Sequence, residues 1–192
     1  MTRFDIHIAD TAPEGSKAEL AAVTRAWGFA PKRQATLAES PAALIGYATL
    51  FGLVGQSTLT AVEQQVAFQT INLFHGCEYC TMGHSYPSRA AGMDEPTIAA
   101  LRNGDLPADP KQAELARFTM QVVQSRGHAG DAAVDACIAA GFSRANVPDV
   151  VTIIATKTIS NHTNHLTQTE KEAFMSEPAL AWTASANRIA AE

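Results

Sequence analysis

Apolar positions recur along this chain at intervals of three and four residues, the spacing that lines one face of a helix. No stretch alternates long enough to build a sheet. Leu20, Val23 and Trp27 share one side of a helix predicted over 17–27, which Gly28 ends and Pro31 keeps from resuming. Ser40-Pro41 supplies an N-cap and a first-turn proline for the next helix. Its predicted buried face is Leu44, Ile45, Ala48 and Phe51 or Gly52, with Gly55 as the stop. A third helix starts at Thr60, where Thr-x-x-Glu ending in Glu63 spells a capping box. Val62, Val66 and Ile71/Leu73/Phe74 form its apolar stripe, and Gly76 closes it. A fourth starts at Cys77, with a break expected near Ser85-Tyr86 because Pro87 cannot donate to residue 83, and with Gly92 as its end.

The second half follows the same grammar. A short helix runs from Asp94-Glu95-Pro96 to Arg102, and a longer one from Lys111 to Arg126 carries Ala116, Met120 and Val123 at helical spacing. Asp131 is the expected cap of the helix around Cys137, and Gly141 its end. The run from Pro148 to about Leu166 is the most apolar, with Val150, Val151, Ile153, Ile154 and Ile159. Its early turns are apolar nearly all round, which predicts a central place. Residues 170–190 read as a helical tail broken at Pro178. Phe4 to Ile8 alternates, so it reads as a short strand or an extended arm that could pack on a neighbouring subunit. The expected fold class is all-α, a multihelical bundle forming a single domain over 1–192. Its parts are an arm (1–13), N-terminal helices (14–58), a central segment (59–92), a second helical half (93–170) and the tail (171–192).

Composition narrows the partners. The chain has 192 residues, 46% hydrophobic and 17% charged, which suits one globular domain with a real core. A net charge of −5 and a pI of about 5.7 argue against nucleic acid or an anionic membrane as partner. No apolar run approaches the length of a membrane span, and the start Met1-Thr2-Arg3-Phe4-Asp5 lacks a signal-peptide core. The expectation is a cytoplasmic protein, where Cys-x-x-Cys serves catalysis or metal binding rather than a structural disulfide. Cys137, in an Ala-rich helical run, reads as a buried apolar residue.

The candidate chemistry lies in Cys77-Glu78-Tyr79-Cys80-Thr81-Met82-Gly83-His84. On a helix, Cys77, Cys80 and His84 fall in one column, because positions three and four apart share a face. A free thiol has a pKa of about 8.5, and the thiolate is the reactive form. A helix N-terminus carries unpaired N–H groups and about half a positive charge, which favour an anion. A second cysteine within reach can resolve an oxidised first one as a disulfide.

Leu59-Thr60-x-x-Glu63 followed by His75-Gly76-Cys77-Glu78-Tyr79-Cys80-x-x-Gly83-His84-Ser85 resembles the carboxymuconolactone decarboxylase superfamily, in its alkylhydroperoxidase D (AhpD)-like branch. The run Val151 to Leu166, ending Ser160-Asn161-His162-Thr163-Asn164-His165-Leu166, is similar to the second helical half of uncharacterised peroxidase-related members. The resemblance spans roughly residues 40–170 and implies an AhpD-like all-α bundle. It implies that Cys80 attacks a hydroperoxide or disulfide, that His84 polarises or deprotonates it, and that Cys77 resolves it. It also implies no bound cofactor, an external dithiol reductant such as a lipoylated protein, and a homo-oligomer (dimer, trimer or hexamer). The resemblance places a relay glutamate twelve residues before the first cysteine; here that position is Gln65, which can hold an imidazole but cannot take its proton. Glu63, two positions earlier, lies on another side of the helix.

Other readings stay open on the residues. Zinc could use Cys77, Cys80 and His84 with His75, His162 or His165 as fourth ligand, although no second Cys-x-x-Cys exists. Haem attachment needs a histidine directly after the second cysteine, where Thr81 stands. A decarboxylase-type lyase does not need two thiols. A non-enzymatic oligomer switched by the disulfide is a further alternative. Tyr79 is placed to shield the site or meet a partner subunit. His162, Asn164 and His165, at the end of a very apolar helix, are candidates for a site wall or interface. His128, in a Gly-flanked turn, is expected to be exposed.

Overall fold

A computed structural model describes residues 4–184, and among them every regular element is helical. The nine α-helices are α1 (Glu14–Trp27), α2 (Lys32–Leu37), α3 (Pro41–Val54), α4 (Ala61–Phe74), α5 (Glu78–Ala90), α6 (Glu95–Asn103), α7 (Pro110–Gln124), α8 (Asp131–Ala139) and α9 (Asn146–Thr167). The all-α reading of the pattern therefore holds. No helix among them is long and apolar enough to cross a membrane.

The helix α4 is the hub. It packs against α5, α6, α7 and α9, and ten of the eleven positions from Glu63 to Leu73 are buried, so its buried surface runs almost all round it. Its start is set locally: the Thr60 side chain accepts from the Glu63 N–H while the Glu63 carboxylate accepts from the Thr60 N–H (2.8 Å). Its end is set by Gly76, whose φ of +62° lies in the left-handed region where a Cβ is penalised. The main core forms where Val66, Phe68 and Ile71 of α4 meet Leu115 and Phe118 of α7 and Val150 and Ile153 of α9. Cys137 is buried in this same core, as its apolar setting suggested, and burial pushes its thiol up to about 11.

Several local expectations need correction. The helix α5 passes through Pro87 without a break and runs to Ala90. The Ser85 and Ser88 hydroxyls donate back to the carbonyls of Thr81 (2.9 Å) and His84 (2.7 Å), satisfying backbone acceptors in the turns that precede the proline. Residues 170–184 form no α-helical tail. They carry a 3₁₀ turn at Ala173–Ser176, while the predicted stretch from 185 onward lies outside the described residues. The segment from Phe4 to Ile8 forms no strand; its His7 N–H donates to the Ala35 carbonyl (3.2 Å) and its ring meets Glu39 (2.8 Å) on the same chain. The short α2 was not foreseen, because Pro31 read only as a stop. Ile45 and Val151 are exposed, and Tyr47 takes the core place beside Leu44. Asp131 opens α8 without capping it; Gly130 holds the cap position.

The capping box gives a test of how far α4 is locally determined. Thr60→Ala should lower unfolding free energy by about 1 kcal/mol, read as a lower urea midpoint at unchanged slope.

Candidate functional site

Both cysteines are free and buried, at the start of α5. Cys77 is the N-cap residue, and Cys80 follows in the first turn. A chain of buried amides straps this turn to its neighbours. The Cys77 N–H donates to the Asn72 carbonyl (3.0 Å), and the Asn72 side chain donates to the Cys80 carbonyl (3.2 Å). The Gln69 amide donates to the Thr81 carbonyl (3.2 Å), and Asn161 of α9 donates to Asn72 Oδ1 (3.2 Å). From α9, Asn164 Nδ2 lies 3.1 Å from Cys80 Sγ and 3.8 Å from Cys77 Sγ. Asn161 and Asn164 thus belong to the site, whereas His162 and His165 are exposed. The amides of Gln69 and Asn72 were missed in the sequence. Their signal was polar side chains on the buried surface of a helix read for its apolar stripe alone.

The structure brings Gln65 to His84. The His84 Nδ1–H donates to Gln65 Oε1 at 2.9 Å, and both side chains are buried. Since the amide oxygen only accepts, Nδ1 carries the ring proton and Nε2 presents a lone pair. That lone pair does not face a sulfur. It accepts from Lys157 Nζ at 3.1 Å. Lys157, on α9, is fully buried, and its charge is felt by both Cys80 and Cys77. In place of the expected direct contact of His84 with thiol, hydrogen bonds run from Gln65 through His84 to Lys157, whose charge acts on Cys80. No sequence argument had singled out Lys157; a lone lysine in an apolar helix looks like a surface residue until its neighbours are known. Glu63 is separate, held by the cap and by Lys111 (2.8 Å).

The electrostatics follow from burial and this one ammonium. Burial, with Lys157 and Arg33 adding to it, holds His84 well below its usual pKa, so the ring is neutral. Burial also holds Lys157 below the ordinary lysine value, opposed by the two sulfurs. The Cys77 thiol is lowered to about 6, chiefly because Cys80 donates to it, with Lys157, Asn161 and the Cys80 N–H assisting against burial. Burial and that donated proton push Cys80 well above the ordinary thiol range. The pair titrates as a unit, sharing one proton and one negative charge opposite Lys157. In the resting pair the charge sits on Cys77, and the proton on Cys80.

The two sulfurs open onto different spaces. Cys80, His84 and Arg33 line a narrow cavity of about 60 Å³ walled by Trp27, Phe51 and Phe174. Cys77 and Asn164 border an outer basin of about 610 Å³ with His75, His165 and Lys171. Tyr79 separates them. Its hydroxyl donates to Glu172 (2.6 Å), which also accepts from the Lys32 N–H (2.6 Å), tying the turn at 173–176 to α2. Arg33 and Glu172 were not foreseen either. His75 stacks edge-on with His162 (4.9 Å), and burial lowers it to about 4. Among the described residues no group of three or more His, Cys, Asp or Glu is gathered as metal ligands would be.

Comparison with known proteins places this architecture. No family model matches the chain, and no curated protein matches it. Solved structures do. An alkylhydroperoxidase AhpD core, an uncharacterized peroxidase-related protein from Ralstonia eutropha JMP134, is 17% identical at a TM-score of 0.80, covering 95% of this chain and 98% of that one. An uncharacterized peroxidase-related protein from Silicibacter sp. TM1040 is 17% identical at 0.78, covering 93% and 95%. The debrominase Bmp8, in complex with 2,3,4-tribromopyrrole, is 16% identical at 0.71, covering 88% and 91%. The fold is thus AhpD-like, and the all-α bundle that the sequence resemblance implied is the one observed.

The shared charge is open to measurement. Absorbance of the reduced protein at 240 nm should show one thiolate forming with a midpoint at about pH 6, not near the usual thiol value. The thiolate is present above that midpoint and lost below it. Lys157→Met should move the midpoint up by about one pH unit or more, since it removes the neighbouring positive charge.

Proposed function

We propose that this protein is a thiol-dependent oxidoreductase that reduces hydroperoxides or disulfides by cycling Cys77 and Cys80 between dithiol and disulfide. The observation that carries this reading is a buried pair of free thiols at the start of α5, near the buried Lys157, with one sulfur on a narrow cavity. The AhpD-like fold of peroxidase-related proteins agrees with it.

The proposed cycle begins with transfer of the shared proton from Cys80 to Cys77, which puts the charge on the sulfur that lines the cavity. Lys157, held in place by His84 and Gln65, and Asn164 stabilise that thiolate. The Cys80 thiolate attacks the terminal oxygen of a hydroperoxide. The O–O bond breaks, the alkoxide takes the proton from Cys77 and leaves as alcohol, and Cys80 becomes a sulfenic acid. The Cys77 thiolate attacks the Cys80 sulfur, the S–S bond forms, and hydroxide departs as water after taking a proton from solvent. An external dithiol, such as that of a lipoylated protein, then restores both thiols. Gln65 serves here as the orienting acceptor for His84, so that no carboxylate is needed in the relay. Self-association is part of the same proposal, with Ile8, Leu53 and Leu166 as exposed apolar surface.

A second reading keeps the dithiol and changes the acceptor to a carbon–halogen bond. It is favoured by the aromatic cavity walls and by the debrominase among the similar folds.

Cys80→Ser should abolish hydroperoxide consumption, falling to the rate of buffer with reductant alone. Cys77→Ser should retain one oxidation and leave a sulfenic acid that a dimedone probe traps on Cys80. Equal turnover by both variants and the parent protein would rule the assignment out.

A further inference from the structure

Arg33 is a buried cation that the cycle above does not use. It sits in the second position of α2, only 7% exposed. Its guanidinium lies over the Tyr47 ring, 4.6 Å from the centroid, and its Nε has no hydrogen-bond partner. None of the ion pairs among the described residues includes it. It lines the narrow cavity together with Cys80 and His84. Glu172 is the carboxylate on that wall, but its Oε1 already accepts from the Tyr79 hydroxyl and the Lys32 N–H.

A guanidinium cannot shed its charge, and burying it without an anion is costly. The dithiol supplies a single negative charge, and Lys157 already faces it. Once the disulfide forms, that negative charge is gone and both cations remain. With the Glu172 carboxylate counted, two cations then face one anion, so the oxidised site is short of one negative charge, and in the reduced state Arg33 still has no ion-pair partner of its own among the described residues. Its other walls are Trp27, Phe29, Phe51, Phe174 and Met175, which suit an apolar body and not a hydrated inorganic ion.

From this we infer that Arg33 is the anchor of an anion-binding subsite in the Cys80 cavity, and that the substrate is a small organic acid whose carboxylate pairs with Arg33 while its reactive bond lies at Cys80. The inference rests on Cys80 being the sulfur that meets the substrate, and it names the class of molecule brought there.

Alkylation of the reduced protein tests it without peroxide. Iodoacetate and iodoacetamide differ in charge at nearly equal size, and site-resolved mass spectrometry under limiting reagent reports each cysteine separately. Cys77, on the outer basin, is the internal reference. The iodoacetate-to-iodoacetamide rate ratio at Cys80 should exceed that at Cys77 by about tenfold, the equivalent of roughly 1.4 kcal/mol. It should drop to the Cys77 ratio in Arg33→Met and stay intermediate in Arg33→Lys. In the unmodified chain, benzoate should slow Cys80 alkylation by iodoacetamide and benzamide should not, which keeps the test available where Arg33→Met fails to fold. Equal ratios at the two cysteines, an Arg33→Met protein that melts like the parent with its ratio unchanged, or protection by benzamide as good as by benzoate would overturn the subsite. Absent hydroperoxide turnover with the anion preference intact would count against the redox cycle alone.

Discussion

A lysine ammonium sealed inside a helical bundle has to be met on every side by acceptors or negative charge, or it will lose its proton or leave the core. Lys157 is met by the Nε2 lone pair of His84 and by a dithiol that can carry one charge. This arrangement dictates much else. It requires His84 to be neutral with its proton on Nδ1, which requires an acceptor there, and Gln65 Oε1 supplies one. A carboxylate at position 65 would accept the same proton but would also add a negative charge against the thiolate. Gln65 thus orients the ring while leaving the balance between ammonium and sulfur intact. Removing one partner from such a buried set typically costs about 3–5 kcal/mol, so the group is held as a unit.

The second constraint is that the sulfurs must stay where the ammonium is. The first turn of α5 could fray, as helix ends do. It is instead bonded through Asn72 and Gln69 to α4, and Asn72 is in turn met by Asn161 of α9. The consecutive α4 and α5 and the distant α9 are pinned at one place by amide groups that carry no charge of their own. The continuity of α5 through Pro87 serves the same end, because His84 lies in the turn just before the proline and keeps a regular helical position.

Much of the fold was legible because its signals are local. The capping box at Thr60 and Glu63, the positive-φ Gly76, and the caps at Ser40, Asp94 and Asp109 are chemistry between residues a few positions apart. The column of Cys77, Cys80 and His84 is also local, fixed by helical spacing. The errors were equally physical. Pro87 read as a break because the sequence shows the missing donor and not the serine hydroxyls that satisfy nearby carbonyls. The tail read as helical on composition, yet Met175 is buried by packing on the dithiol turn and not by a helical face of its own.

The sequence by itself determined that the chain is a bundle of helices and that two thiols and an imidazole start one of them, because helical period and capping need only neighbours along the chain. Which of those groups carries charge was decided by the tertiary structure alone. Lys157 lies 73 residues beyond His84, Arg33 lies 47 before Cys80, and Asn164 lies 84 after it. The charge state of a thiol depends on distance and burial, and these come into being only when α2, α4, α5 and α9 are packed together.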